Sequence, residues 1–169
     1  MEITIENIGI TALILLTGLS AGLCFTWSNA ITPGIGRLND PGYLMSFQQM
    51  NRTIINPLFL LVFFGPSIVG AINLYLFKNA PSPLIWSLIL GIAIYFFGVV
   101  LVTIFGNVPL NEVLDKTDLN SASIEEIRQL RERFEVKWNR LHLIRTLSSI
   151  ISFLLLLIGL FQVTKYNIQ

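Results

Sequence analysis

Four runs of this chain, roughly residues 8–31, 54–77, 84–105 and 143–163, are apolar over the length that a helix needs to cross a bilayer. The hydrocarbon core is about 30 Å thick and takes about 20 helical residues. Every backbone polar group in that layer must be bonded inside the segment. Four such runs predict an all-α, integral membrane four-helix bundle, a single transmembrane domain over residues 1–169. Composition agrees: 53% of residues are hydrophobic and 12% charged, against about 25% charged in a soluble domain. The first residues, MEITIENIG, carry two acids and no Lys or Arg. A secretory leader needs a positive start, so the first run is expected to be a retained span.

The connections are unequal. KNAPSPL between the second and third runs is a short proline turn. Between the first and second, TPGIGRLNDPG is turn material. From Tyr43 the chain reads as a helix feeding straight into span two, where Pro66 is expected to kink it. After span three, Gly106 reads as a helix stop. Asn107 or Val108 then caps a new helix with Pro109 in its first turn. Ser123 and Glu126 form a capping box. No Gly or Pro follows until the fourth run is well under way, which predicts one helix of about 40 residues, roughly 60 Å long. Its first half stands outside the bilayer, in an extramembrane helical region of about 109–142 with short interfacial helices nearby.

Nine Lys and Arg residues lie on the face carrying the first and third connections, and only Lys78 and Lys165 on the other. The positive-inside rule then makes the first face cytoplasmic and puts both termini outside. In a bacterium the membrane would be the plasma or inner membrane.

Alternating spans bring distant polar residues to that same face. Trp27 and Asn29 close span one. Phe47, Gln48, Asn51 and Arg52 precede span two. Asn107 and Asn111 follow span three, and Trp138, His142 and Arg145 open span four. Glu135, Trp138, His142 and Arg145 fall at i, i+3, i+7 and i+10, one helical stripe. Arg145 lies just inside the apolar layer, where an ionisable residue needs a partner. Glu112, Glu135 or the asparagine amides are the candidates. Blander roles compete: Trp138 and Arg140 suit an interfacial belt, a lone histidine is more often structural than functional, and asparagines form caps and turns. Four amides at membrane depth nevertheless need partners.

Other chemistries find no support. One cysteine, Cys24, cannot form a redox pair or a zinc cluster. One histidine cannot build an imidazole-rich haem or copper centre. No metal site is expected, and the residues name no cofactor and require none. Net charge is +1, which gives no reason for a nucleic-acid partner. The expected partners are membrane lipid and a lipophilic small molecule, and a homo-oligomer is compatible with so short a chain.

PGIGRL (33–38), FQQMNRTIINP (47–57), NVPLNEVL (107–114) and WNRLHLIRT (138–146) together resemble a family of small four-span membrane proteins that includes the fungal anthrone oxygenases. The resemblance covers about residues 18–160. It implies a four-helix membrane bundle and, for some fungal members, oxidation of an anthrone to an anthraquinone by dioxygen. An anthrone is acidic, so its carbanion can meet dioxygen at a site with a base, oxyanion donors and a flat slot. On that expectation His142 is the base, and Asn107, Asn111, Asn51 and Arg145 are donors. Trp27, Phe47 and Trp138 line the slot, with Asn29 and Arg52 beside it. The alternative is a binding or scaffold module whose amide cluster is structural.

Overall fold

The computed structural model describes residues 4–166, with side chains through residue 163. It is helical throughout, with no strand among the described residues. The helices are α1 (Ile5–Thr26), α2 (Thr32–Ile35), α3 (Asp40–Ile54), α4 (Pro57–Leu76), α5 (Ser82–Tyr95), α6 (Val108–Lys116) and α7 (Ile124–Tyr166). α1 passes into α2 through a π-helical turn, Trp27–Ile31. α5 passes into α6 through two more, Phe96–Leu101 and Thr103–Asn107. Four of the resulting helical stretches are long and apolar enough to cross a membrane, the make-up of a multi-pass membrane protein. α1 packs on α4 and α7, and α5 packs on α4 and α7, which closes the ring.

Two sequence expectations need correction. The chain does not run straight from α3 into span two. Ile55 leaves helical geometry at φ −77° and ψ 79°, and Asn56, extended as a residue before proline is, caps α4 by accepting from Phe59 N at 3.0 Å. Nor does the chain stop at Gly106 and restart. Asn107 is helical, and no glycine among the described residues has positive φ. The π-turn carries the helix onward: Val108 N donates to Thr103 O, five residues back. Pro109 follows at the next position, so its missing N–H interrupts a ladder already widened to i→i+5. Gly106 serves packing instead, since a Cβ there would lie 3.0 Å from Leu141 Cδ1.

The long final helix is present as expected, 43 residues from Ile124. Ser123 N donates to Glu126 Oε2 at 2.8 Å, and Glu126 N donates back to Ser123 Oγ at 3.3 Å. Three apolar clusters stack along the bundle. One sits at the end near the chain termini around Ile10, Leu13, Leu84, Leu88 and Leu156. A second lies in the middle around Phe63, Tyr95 and Val99. The third caps the other end, where Tyr43, Leu44 and Phe47 of α3 meet Leu114 of α6 and Phe134 and Trp138 of α7.

Polar groups tie these layers together. Tyr95 Oη donates to Phe63 O at 3.0 Å, in the turn of α4 that precedes Pro66. Its proton is therefore committed, and Ser20 Oγ must be the donor in the 2.7 Å contact with Tyr95 Oη. At the capped end Arg131 reaches Asp40 Oδ1 (2.9 Å), Glu135 Oε2 (2.8 Å), Leu38 O (2.8 Å) and Gly36 O (2.8 Å). Its guanidinium also lies 4.5 Å over the Tyr43 ring. Burial, with Glu135 adding to it, pushes the Tyr43 phenol up, while Arg131 opposes the shift.

Close helix packing rests on small residues. A Cβ on Gly98 would stand 2.5 Å from Ser148 Cβ on α7, with Ser148 Oγ closer still. Gly98→Ala is expected to destabilise the bundle by about 1–3 kcal/mol. Pairing it with Ser148→Gly should recover most of that loss, read as thermal melting in detergent. A double variant that melts no higher than Gly98→Ala would refute the pairwise clash.

Candidate functional site

The π-turn in the first span sets the site. Widening the ladder at Trp27–Ile31 leaves Cys24 O able to accept more than its backbone partner, Trp27 N. His142 Nε2 lies 3.1 Å from Cys24 O, and Thr146 Oγ1 lies 3.4 Å from it. A carbonyl only accepts, so Nε2 carries the proton and Nδ1 of the neutral ring is the bare nitrogen. That Nδ1 is buried and has no partner among the described residues. The ring stacks on Trp138, with centroids 4.8 Å apart and planes 20° apart. Trp27 meets both from the side, 5.6 Å from Trp138 and 6.3 Å from His142.

Three further polar groups belong to the same site. Trp138 Nε1 donates to Asn111 Oδ1 at 2.8 Å, which holds the indole against α6. Arg145, one turn further along α7, lies beside the Cys24 thiol, and its Nε is buried without a partner among the described residues. The carboxylates expected to pair with it are committed elsewhere: Glu135 to Arg131 at 2.8 Å and Glu112 to Lys116 at 3.5 Å. Arg145 has no ion pair among the described residues. The expectation of a carboxylate partner is therefore corrected. Asn51 is buried, and its Nδ2 is unpartnered among the described residues.

These groups border a cavity of about 290 Å³ between α1, α3, α4, α6 and α7. Of the residues expected from sequence, Trp27, Asn51, Arg52, Asn111, Trp138, His142 and Arg145 line it. Three do not. Asn107 is fully buried behind Trp138, donating to Trp138 O at 3.4 Å, with its own Oδ1 unpartnered. Phe47 is fully buried in the outer cluster, packed edge-on against Trp138 and Phe134 at 4.8 Å each. Asn29 is exposed on the π-turn.

Ile55 and Phe59, spaced with Gln48 and Asn51 as one helical stripe, border it as well, although the helix breaks at Ile55 and Phe59 belongs to α4. The cavity also holds residues that spacing did not single out: Leu23 and Cys24 from α1 and Thr103 from the third span. Their only signal was position, one turn inside the span ends on the polar face. At the mouth, Arg52 Nε meets Asp115 Oδ1 at 2.6 Å and joins α3 to α6. Gln48 Nε2 donates to Leu114 O and Thr117 O (2.7 and 3.0 Å), satisfying carbonyls at the end of α6. Among the described residues no three His, Cys, Asp or Glu side chains gather in a way that could hold a metal ion. What the arrangement offers is a nitrogen base, a cation, an amide donor and aromatic walls.

Fold and cavity together define a small four-span membrane protein with a largely apolar pocket, bordered by a few polar groups, at one end of the bundle. The anthrone oxygenase family model matches residues 59–155, more than half of the chain, and the chain belongs to that family. No curated protein and no solved structure matches it. The matched region supplies Phe59, Thr103, Asn111, Trp138, His142 and Arg145. α1, the π-turn after it and α3, all outside that region, supply Cys24, Trp27, Asn51 and Arg52.

Proposed function

We propose that this protein oxidises a flat, lipophilic aromatic ketone of the anthrone type with dioxygen, giving the quinone and water. The observation that carries the reading is His142. Its Nε2 is anchored to Cys24 O, which leaves Nδ1 without a partner among the described residues, and its side chain borders a cavity that Arg145, with no ion pair among those residues, also lines. Nδ1 takes a proton from the ring carbon opposite the ketone. The negative charge moves to the ketone oxygen, where Arg145 and Asn51 Nδ2 stabilise it. Dioxygen takes one electron from this enolate, the superoxide and the carbon radical then combine at the deprotonated carbon, and the peroxide takes back the proton held on His142 Nδ1. The resulting hydroperoxide loses water and leaves a second carbonyl. Two hydrogens and one oxygen atom leave as water, and the other oxygen stays on the ring. Trp27 and Trp138 supply the flat apolar walls. The pocket opens toward the cytoplasmic face, with both termini outside, following the Lys and Arg distribution.

The test is oxygen uptake and quinone absorbance with anthrone and the protein in lipid nanodiscs. Catalysis above the rate of empty nanodiscs is expected, and a rate equal to theirs overturns the proposal.

The second reading, a scaffold stapled by amides, is favoured by one observation: Asn107 and Asn111 both bond Trp138 rather than open space. Asn107→Ala is accordingly expected to lower the melting temperature in detergent, because it strips a buried hydrogen bond. If oxidation is absent and the Asn107 variant melts lower, the scaffold reading stands in its place.

A further inference from the structure

Arg133, Lys137 and Arg140 of α7 lie at i, i+4 and i+7, on one helical stripe. All three are exposed. None has a carboxylate partner among the described residues, whereas Arg52, Lys116, Arg128 and Arg131 all do. The stripe does not end at the last cation. It continues through Ile144, Leu147 and Ile151, which are 47%, 52% and 48% exposed and face away from the bundle. Ile144 lies four positions after Arg140, about 6 Å along the helix. Positive charge thus runs directly into an exposed apolar stripe on a helix long and apolar enough to cross a membrane.

Beside the cations runs a groove of about 340 Å³ between α6 and α7. Leu110, Val113, Leu130 and Phe134 form its apolar walls, with Arg133 and Lys137 at its edge. Glu126 also borders it, but it lies toward the α7 start and is occupied by Ser123 N and Oγ at 2.8 and 2.7 Å. None of these residues lines the His142 cavity.

We propose that this face of α7, with the adjoining groove, binds the phosphodiester headgroup of an anionic phospholipid, whose acyl chains lie along Ile144, Leu147 and Ile151. A soluble phosphate would use the cations but leave the apolar continuation without a role. Cations without partners beside a groove and an unbroken apolar stripe fit a molecule carrying charge and chain together. The site is independent of the oxygenase reading and stands or falls without it.

The experiment is native mass spectrometry of the full chain from detergent micelles, with phosphatidylglycerol or phosphatidylcholine of the same acyl chains. Each cation near the surface is worth roughly fivefold in affinity. The wild type should retain phosphatidylglycerol at least about tenfold more tightly than phosphatidylcholine. The triple variant Arg133→Gln, Lys137→Gln, Arg140→Gln should lose that preference, with unchanged melting in the absence of added lipid. If the triple variant melts lower, Lys137→Gln alone should still weaken phosphatidylglycerol retention roughly fivefold. Equal retention of the two lipids by the wild type, or an undiminished preference in the variants, overturns the proposal. A parallel arm adds inorganic phosphate: displacement of the lipid at comparable concentration would show an anion site only, and overturns the lipid assignment.

Discussion

His142→Gln is expected to reduce anthrone oxidation by about 10²–10⁴-fold, the usual contribution of a positioned general base. Glutamine is a demanding control. Its amide nitrogen can still donate to the carbonyl that anchors the imidazole, Cys24 O at 3.1 Å from Nε2. Its stem fills part of the space beneath Trp138. What it lacks is a basic nitrogen corresponding to Nδ1. The variant should therefore fold, melt within a few degrees of the parent and bind the substrate, yet fail to remove its proton. Oxygen uptake, quinone absorbance and thermal melting measured on one preparation separate these effects. A rate within threefold of the parent would remove His142 from the chemistry and leave the imidazole as a packing residue stacked on Trp138.

Arg131→Met is expected to have the largest effect on stability, about 2–3 kcal/mol. It strands two carboxylates and two backbone carbonyls at once. Removing one partner of a fully buried ion pair costs about 3–5 kcal/mol. The value here is lower because Asp40 and Glu135 side chains keep 37% and 27% of their surface exposed, so water compensates part of the loss. Arg131→Lys should recover little, because an ammonium cannot reach in several directions as the planar guanidinium does. The loss should be local in origin, since Arg131 is what ties residues 36–40 to α7. Amide exchange in that segment and the start of α3 is expected to accelerate before the spans respond. Uniform acceleration across all four spans would contradict this.

The four spans were legible because a bilayer demands length and hydropathy, which are properties of a short window. The stripe through Trp138, His142 and Arg145 was legible because helical period fixes which residues share a face. The capping box at Ser123 was legible because its partners lie three residues apart. Other features depend on what a residue meets. Gly106 and Pro109 look like a stop and a start, but the helix continues because Leu141 needs the space over Gly106 and the backbone can widen into π-turns. Spacing placed Arg145 on the correct face but could not show that Glu135 is taken by Arg131 and Glu112 by Lys116. Phe47 was expected at the slot and instead supports it from behind, because α3 turns that ring toward Phe134 and Trp138.

The π-turn at Trp27–Ile31 has a consequence for how the chain can vary in length. A turn closed by i→i+5 bonds holds one more residue than an α-turn. Deleting a single residue there would let the first span run as ordinary α-helix, with the packing of its earlier turns on α4 and α7 left in register. The bundle would survive such a deletion, whereas the carbonyl that orients His142 would be drawn back into the regular ladder. Chain length at this one turn, rather than any side chain, would then separate a bundle with a poised imidazole from a bundle without one.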